Sequence, residues 1–231
     1  MRIGILKCGV APDDLRDRHG DYDTMFERLL AGRGFTFGSW HVEEMEFPDD
    51  VHEADGWLLT GSKHGVYDDL PFIPKLEQFV RRAYLAHVPL VGICFGHQLI
   101  AQALGGRVLK HGDGWAVGAH DYAFGGTTLT LNCWHQDQVA EAPADAQLAA
   151  ASPFCPNAAL IYGDRAFTVQ AHPEFSDGFI DGLIEHRGAG LVPEELLDQA
   201  RARRGDADGG AAVADRIAAF LKQPRAMRGA A

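Results

Sequence analysis

The sequence predicts an α/β fold in which helices cover both faces of a mixed, mostly parallel sheet. In the first half of the chain, short apolar strands alternate with amphipathic helices, and strands such as Gly56–Thr60 and Val88–Ile93 are apolar on both faces. Strands of that kind are typical of a parallel sheet buried between helices. From Arg107 to Gln170, short strands instead follow one another, which predicts an antiparallel extension of the sheet.

The spacing of apolar residues and the position of glycines set the order of these elements. The predicted elements of the first half are strands at residues 2–8, Phe35–Val42, Gly56–Thr60 and Val88–Ile93, and helices at Tyr22–Ala31, around Leu76–Ala83 and at Phe95–Leu104. Those of the second half are strands at Arg107–Lys110, Thr127–Leu131, Ala158–Tyr162 and Ala166–Gln170, and helices at Phe179–His186, Pro193–Arg203 and Ala211–Leu221.

Residues 1–231 are predicted to form a single domain, because no stretch of the chain has the composition of a linker. The motifs described below lie within residues 1–187. Residues 190–223 are predicted to form a C-terminal helical extension, which either covers a face of the sheet or mediates an oligomer. From Pro224 onward we expect a frayed tail.

Composition and charge exclude several classes of protein. Of the 231 residues, 46% are apolar and 23% are charged, as in ordinary globular proteins, so disorder of the whole chain is not expected. The 21 Lys and Arg against 32 Asp and Glu give a net charge of −11, which argues against nucleic acid or an anionic membrane as a partner. No apolar run approaches the roughly 18–20 residues of a membrane span.

The four cysteines are too few and too scattered for a disulfide scaffold, and they form no C-x-x-C pair. The 11 histidines show no metal-ligand spacing, so neither a metal nor another cofactor is expected. The apolar stretch at the start of the chain is too short for a signal peptide. These observations together predict a protein of the reducing cytoplasm.

The most informative segment places Cys94 between a strand and a helix, with Gly92 and Gly96 on either side. A residue at a sharp strand-to-helix turn is lifted clear of the sheet, and glycines two positions away remove side chains that would clash there. The helix N-terminus then favours the thiolate, which is the reactive form of cysteine. The pattern predicts a nucleophile, although G-x-C-x-G alone also occurs around buried, unreactive cysteines.

A thiolate nucleophile needs a proton carrier, and His172 is the leading candidate. It follows the predicted strand Ala166–Gln170, Pro173 stiffens the turn after it, and the Glu174 carboxylate could fix its tautomer. Because strand ends of a parallel sheet gather along one edge, His172 can meet Cys94 despite their separation in sequence.

These segments resemble the class I glutamine amidotransferase family, in the form of GMP synthetase glutaminase domains and γ-glutamyl peptidases. Gly92–Gln98 is similar to the family's G-x-C-x-G-x-Q motif, and Gln170–Glu174 contains its H-P-E motif. Trp134–Val139 resembles the H-x-D-x-V segment of GMP-synthetase-like members, and Thr60–Asp68 resembles their oxyanion-loop region. The resemblance implies a three-layer α/β/α, flavodoxin-like fold.

The same resemblance implies a triad of Cys94, His172 and Glu174. The implied reaction is attack on the γ-carboxamide of glutamine, release of ammonia from a γ-glutamyl thioester, and hydrolysis of that thioester to glutamate. The resemblance also implies oxyanion binding by the backbone amides of Gly61, Ser62 and Phe95. Contacts with the γ-glutamyl substrate are implied for Gln98, Trp134, Gln136 and Asp137.

The partner of the reaction stays open. The chain has neither a phosphate-binding G-x-x-x-x-G-K-[ST] loop nor the Ser-Gly-Gly-x-Asp-Ser type loop of a synthetase. It is therefore either the glutaminase subunit of a two-chain enzyme with a synthetase partner, or a stand-alone enzyme that hydrolyses or transfers γ-glutamyl groups of small peptides. The segment Gly61-Ser62-Lys63, where GMP synthetases usually carry Gly-Gly-Pro, is closer to γ-glutamyl peptidases.

Two other classes of function compete with this interpretation. One is a binding or regulatory module that keeps the fold, but such a module is expected to lose one of the three reactive residues. The other is a different α/β thiol enzyme with its acid or base elsewhere, for example near Glu27, which would leave the H-P-E turn unexplained.

Overall fold

The computed structural model describes residues 1–112 and 114–225. Its strands are β1 (Arg2–Leu6), β2 (Thr36–Trp40), β3 (Gly56–Leu59), β4 (Leu90–Ile93), β5 (Arg107–Lys110), β6 (Ala116–Phe124), β7 (Thr127–His135), β8 (Asp137–Glu141), β9 (Gln147–Ala150), β10 (Ala159–Tyr162) and β11 (Ala166–Val169). Its helices are α1 (Asp13–His19), α2 (Tyr22–Leu29), α3 (Phe72–Leu85), α4 (Phe95–Ala103), α5 (Asp177–Leu183), α6 (Glu194–Ala202) and α7 (Gly210–Lys222). A 3₁₀ turn forms at Val42–Glu44, and a π-helical turn at Ile184–Gly188 continues α5.

Seven strands form the central sheet, in the order β2-β1-β3-β4-β11-β10-β9. The first five are parallel, and β10 and β9 add to the edge in antiparallel orientation. The predicted mixed, mostly parallel sheet with an antiparallel extension is therefore confirmed.

Helices cover both faces of this sheet, as predicted. On one face, Leu59 and Leu90 lie in a hydrophobic cluster with Leu76 of α3 and with Leu99 of α4. On the other face, strand residues pack with apolar residues of α2 and α7. That second cluster includes Ile3, Ile5, Leu58, Val91, Phe26, Val213 and Ile217.

Two antiparallel pairs stand apart from the central sheet. Strands β6 and β7 form a hairpin, and β5 pairs with β8. Helix α6 packs on β6, where Gly118 approaches Ala200 so closely that a Cβ at residue 118 would overlap with it. The C-terminal extension thus divides its packing: α7 covers a sheet face, whereas α6 covers the hairpin.

Several elements differ from the prediction. Residues 13–19 form α1, a helix that the sequence did not predict, and β6, β8 and β9 join the strands named from sequence. The predicted helix Phe179–His186 begins earlier, because the Ser176 side chain accepts a hydrogen bond from the N–H of Phe179 and caps α5. Residues 226–231 of the predicted tail lie outside the described residues.

No helix within the described ranges is long and apolar enough to span a membrane.

One close approach fixes the spacing of β1 against β3. Gly4 lies opposite the ring of Trp57, which is fully buried and donates a hydrogen bond from Nε1 to the carbonyl of Val51 at 2.8 Å. A Cβ at residue 4 would come well within 3.0 Å of three ring atoms. Trp57 also packs edge-on against Phe79 of α3, so its ring has no free direction in which to move.

We expect the Gly4→Ala variant to lose about 2 kcal/mol of unfolding free energy, because extra volume in a packed core forces side chains and backbone to shift. Urea unfolding measures the change. Gly112→Ala is the matched control, since nothing lies within 4 Å of a Cβ at that position. Equal stability of the two variants would contradict the packing described for Trp57.

Candidate active site

Cys94 occupies a strained turn between β4 and α4. Its backbone has φ 51° and ψ −102°, in the left-handed region that residues other than glycine rarely adopt. The turn is held by three backbone hydrogen bonds: Cys94 N–H to the carbonyl of Val169 (2.9 Å), Gln98 N–H to the carbonyl of Cys94 (3.0 Å), and Gly96 N–H to the carbonyl of Thr60 (3.2 Å). A strained conformation that is held on several sides is typical of a functional position.

The two glycines beside Cys94 permit this turn. A Cβ on Gly92 would overlap with the carbonyl of Gly96, and a Cβ on Gly96 would overlap with the carbonyl of Leu59. The backbone of the turn therefore packs directly against the end of β3. This is the physical reason for the G-x-C-x-G pattern in the sequence.

His172 reaches the same edge of the sheet from β11. Strand β11 lies beside β4 in parallel, with Val169 in register with Ile93, so the chain leaves both strands next to Cys94. The His172 N–H donates to the carbonyl of Asn132 at 2.8 Å, and its ring stacks on Phe175 with centroids 3.8 Å apart and planes at 3°. The ring is thereby fixed in position and orientation.

Glu174 lies behind His172 and is fully buried. Its Oε1 is 2.7 Å from Nδ1 of His172, and because a carboxylate only accepts, Nδ1–H donates. The other ring nitrogen, Nε2, is not engaged by Glu174, and the negative charge of Cys94 contributes to the raised pKa of His172. Gly61 packs against both groups: a Cβ there would lie 2.9 Å from Cε1 of His172 and 3.8 Å from Cβ of Cys94. The structure thus brings Cys94, His172 and Glu174 together.

The charges around His172 shift its pKa upward. Burial alone would lower the pKa, but negative charge on Glu174 and on Cys94 and hydrogen bonds to both side chains outweigh that effect. The imidazolium form is therefore stabilised beside the sulfur. By contrast, burial lowers the pKa of the neighbouring His135 to about 3, so that ring stays neutral.

A cavity of about 440 Å³ opens onto the sulfur. Most of the residues implied by the sequence line it, namely Ser62, Cys94, Phe95, Gln98, Trp134, Gln136, Asp137 and His172. Gly61 and Glu174 do not line the cavity, because Gly61 packs against His172 and Glu174 lies behind its ring. The lining also includes residues to which the sequence did not point, among them Tyr22, Lys110, Leu183 and Arg187.

Asp137 presents a carboxylate oxygen to one end of this cavity. Its Oδ2 accepts a hydrogen bond from the Tyr67 hydroxyl at 2.9 Å, whereas its Oδ1 is buried without a partner among residues 1–112 and 114–225. Tyr67 lies in the Thr60–Asp68 segment, and its place in that segment was the only indication from the sequence that it belongs to the site. Gln98 is buried and holds the Asp137 turn in place, since its Nε2 donates to the Asp137 carbonyl (2.9 Å) and to Oε1 of Gln170 (3.1 Å).

The three backbone N–H groups that the sequence implied for the oxyanion are not engaged elsewhere among the described residues. Those of Gly61, Ser62 and Phe95 donate to no acceptor within the described part of the chain. Phe95 is the first residue of α4, where N–H groups lack helical partners and carry the positive end of the helix dipole. Within the same ranges, no group of three or more His, Cys, Asp or Glu side chains has a metal-binding arrangement.

Comparison with known proteins decides the family. A family model described as glutamine amidotransferase class-I matches residues 17–184. This protein is a class-I glutamine amidotransferase family member. The resemblance inferred from the motifs is thereby confirmed.

Curated relatives of this family member include γ-glutamyl peptidases, glutamine amidotransferase-like proteins and GMP synthases. γ-Glutamyl peptidase 4 of Arabidopsis thaliana is 31% identical over 189 residues, which are 74% of this chain and 75% of the relative. A glutamine amidotransferase-like protein of Schizosaccharomyces pombe is 27% identical over 87% of this chain and 90% of the relative. The GMP synthase of Vibrio campbellii is 31% identical over 67% of this chain, but the match spans only 31% of that enzyme.

Solved structures of glutamine amidotransferases share the fold. The protein from Thermotoga maritima has a TM-score of 0.76 at 19% identity, covering 96% of this chain and 99% of that one. The protein from Methylobacillus flagellatus has a TM-score of 0.74 at 22% identity, covering 95% and 92%. The flavodoxin-like architecture expected for the family is confirmed.

We expect the Glu174→Gln variant of this amidotransferase to have a lower His172 pKa, because glutamine keeps a hydrogen-bond acceptor but removes the charge. NMR titration of the His172 ring measures the pKa, and Glu195→Gln, on the exposed side of α6, is the control.

The effect of the raised His172 pKa on stability follows from the linkage between protonation and folding. A raised pKa in the folded state stabilises the protein fully below the unfolded value near 6.5, and this stabilisation is lost as pH rises through the folded pKa. Unfolding free energy should therefore fall less steeply above pH 6.5 in Glu174→Gln than in the parent. If the midpoint of the His172 titration and the slope of unfolding free energy against pH were both unchanged in Glu174→Gln, the coupling between the Glu174 charge and His172 would be contradicted.

Proposed function

We propose that this protein cleaves a γ-glutamyl amide bond through a covalent γ-glutamyl thioester on Cys94. The observation that carries the proposal is the arrangement around the sulfur, which lies on a strained turn, beside the His172–Glu174 pair and open to a cavity. Membership of the class-I glutamine amidotransferase family supports the same chemistry.

In the first half of the proposed reaction, Sγ of Cys94 attacks the γ-carbonyl carbon of the substrate. The thiol proton passes to Nε2 of His172, a C–S bond forms, and the carbonyl electron pair moves to oxygen. The tetrahedral intermediate then collapses and breaks the C–N bond, while His172 gives its proton to the departing nitrogen. The raised pKa of His172 supports this role because the ring holds a proton while the amine leaves.

The oxyanion of that intermediate is proposed to accept hydrogen bonds from the backbone N–H groups of Ser62 and Phe95. These groups lie on the loop after β3 and at the start of α4, and both residues line the cavity. Preorganised donors at such a position stabilise the developing charge without reorganisation. Because Gly61 has no side chain, this loop can lie close to His172.

In the second half, water replaces the amine. His172, now neutral, takes a proton from water as its oxygen attacks the thioester carbon, and the C–S bond breaks to regenerate the sulfur and release a γ-carboxylate. His172 then returns its proton to the sulfur, so that over the cycle one amide and one water give one carboxylate and one protonated amine.

The γ-glutamyl group is proposed to lie with its α-ammonium group on Asp137. Oδ1 of that residue is a buried acceptor without a partner in the described chain, which a cationic donor would satisfy. Gln98 positions the Asp137 turn, and Trp134 and Gln136 complete the lining of the cavity on either side of His135.

A stand-alone γ-glutamyl peptidase is the form of the activity that the relatives favour. The matches to the Arabidopsis γ-glutamyl peptidases span 75–88% of those proteins, whereas the match to the Vibrio GMP synthase spans 31%. The second candidate is a glutaminase subunit that delivers ammonia to a synthetase, which the GMP synthase relatives favour. The four unpaired thiols, Cys8, Cys94, Cys133 and Cys155, support action in the reducing cytoplasm.

An electrophilic glutamine analogue tests the nucleophile. We expect mass spectrometry to find one adduct, on Cys94, and we expect Cys94→Ala to lose both the adduct and all turnover while unfolding like the parent. Cys155→Ala is the matched control, because that thiol is equally buried but does not line the cavity. Binding of the analogue without an adduct would instead identify a non-catalytic module, and an adduct elsewhere would contradict the mechanism.

The identity of the leaving amine is tested by measuring which substrates the isolated protein hydrolyses. A stand-alone peptidase is expected to hydrolyse γ-glutamyl peptides without any other component. Hydrolysis of glutamine that appears only when a second protein is added would favour the subunit function instead.

A further inference from the structure

The cavity beside Cys94 has a polar part and an apolar part. The polar part is built around Asp137, which pairs in register with Lys110 across β8 and β5. The apolar part consists of five residues that share one hydrophobic cluster, and we name it the apolar wall. Its members are Tyr22, Trp115, Trp134, Phe175 and Leu183.

The apolar wall draws on elements other than the sulfur turn. Trp115 and Trp134 come from the β6–β7 region and lie with ring centroids 6.3 Å apart. Tyr22 begins α2 and stacks on Phe175, with centroids 6.2 Å apart. Such a surface of aromatic rings binds apolar groups and has no counterpart in glutamine, whose leaving group is ammonia.

Arg187 provides a positive charge next to this wall. It lies on the π-helical turn directly after Leu183, is exposed and lines the cavity. Tyr22 and Arg187 line the same cavity, and the charge of Arg187 opposes the rise in the Tyr22 pKa that burial and the charges of Glu174 and Cys94 produce. Among the described residues, no carboxylate forms an ion pair with Arg187.

The charged residues of the cavity lining suit different groups of the substrate. The γ-glutamyl group carries both an α-ammonium and an α-carboxylate, and the neighbouring Asp137 and Lys110 offer one partner for each of them. Arg187 lies on a different element and is therefore left for an anion in the departing part of the substrate. A guanidinium binds a carboxylate through two parallel hydrogen bonds, which fixes orientation as well as charge.

We propose that the leaving amine is an amino acid or short peptide with an apolar side chain and a free carboxylate. Its side chain lies on the apolar wall, and its carboxylate binds Arg187. This inference rests on the proposed γ-glutamyl chemistry and specifies the half of the substrate that departs.

The test compares four substrates: γ-glutamylphenylalanine, its C-terminal amide, γ-glutamylglycine and glutamine. The amide removes only the carboxylate charge, and the glycine compound removes only the apolar side chain. We expect kcat/KM for γ-glutamylphenylalanine to exceed that for each of the other two dipeptide substrates by about tenfold. The loss of one charge-assisted contact or of one buried side chain has an effect of about that size.

Variants then assign the preference to Arg187. In Arg187→Gln, the ratio of kcat/KM between acid and amide should fall to about one, and Arg187→Lys should retain part of it. Arg204→Gln is the matched control and should keep the parent's ratio, because Arg204 is an exposed arginine that pairs with Asp181 and does not line the cavity. Thermal unfolding confirms that each variant is folded.

The outcomes separate the inference from the proposed function. Equal kcat/KM for acid and amide in the parent, an unchanged ratio in Arg187→Gln, or cleavage of glutamine alone would overturn the inference and leave the thioester chemistry standing. Cleavage of none of the four substrates would overturn the proposed function itself.

Discussion

The backbone turn at Cys94 is the constraint on which the rest of the site depends. A left-handed φ at a residue other than glycine costs roughly 1–3 kcal/mol, and it persists only where the surroundings hold it. Here hydrogen bonds to Val169 and Thr60 hold the turn from both neighbouring strands, and two glycines let it pack against β3 without overlap. The turn carries Cys94 from the end of β4 into the start of α4, and both Cys94 and Phe95 line the cavity. One local conformation thus places the proposed nucleophile and a proposed oxyanion donor side by side.

The site also requires an imidazole beside this sulfur, and the parallel pairing of β4 and β11 brings His172 there. Because β11 lies beside β4 with Val169 in register with Ile93, the turns that follow the two strands emerge side by side. The hydrogen bond from the His172 N–H to Asn132 and the stack on Phe175 then fix the ring, while Glu174 holds its Nδ1. Asn132 belongs to β7, so the hairpin outside the main sheet also helps to position the proposed proton carrier. Burial lowers the His172 pKa, and the charges and hydrogen bonds of Glu174 and Cys94 together outweigh that effect.

The sequence predicted the parts of the molecule whose pattern is local. Apolar strands and amphipathic helices of the first half follow from periodicity, and the segments around Cys94 and His172 follow from turn chemistry. Helix α1 was missed because Leu15 is its only buried residue, so it has no apolar stripe. Strand β8 was also missed, because the side chains from Asp137 onward do not alternate between polar and apolar. Tyr22 and Arg187 line the cavity only because α2 and the turn after α5 pack near the strand ends, and such packing of distant segments leaves no mark in the local pattern.

The origin of the cavity lining also bears on how such a protein changes specificity. The sulfur, the imidazole and the proposed oxyanion donors all lie at ends of central-sheet strands, where a shift of any one would disturb the others. Phe175 of the apolar wall stacks on His172, but the other members and Arg187 come from the β6–β7 region, α2, α5 and the turn after α5, none of which belongs to the central sheet. If the proposed function holds, substitutions in those elements are expected to change which amine is accepted and to leave the turn at Cys94 unaltered. A fold divided in this way can keep the proposed thioester chemistry while the departing group varies, and its relatives are named both as γ-glutamyl peptidases and as glutamine-hydrolysing GMP synthases.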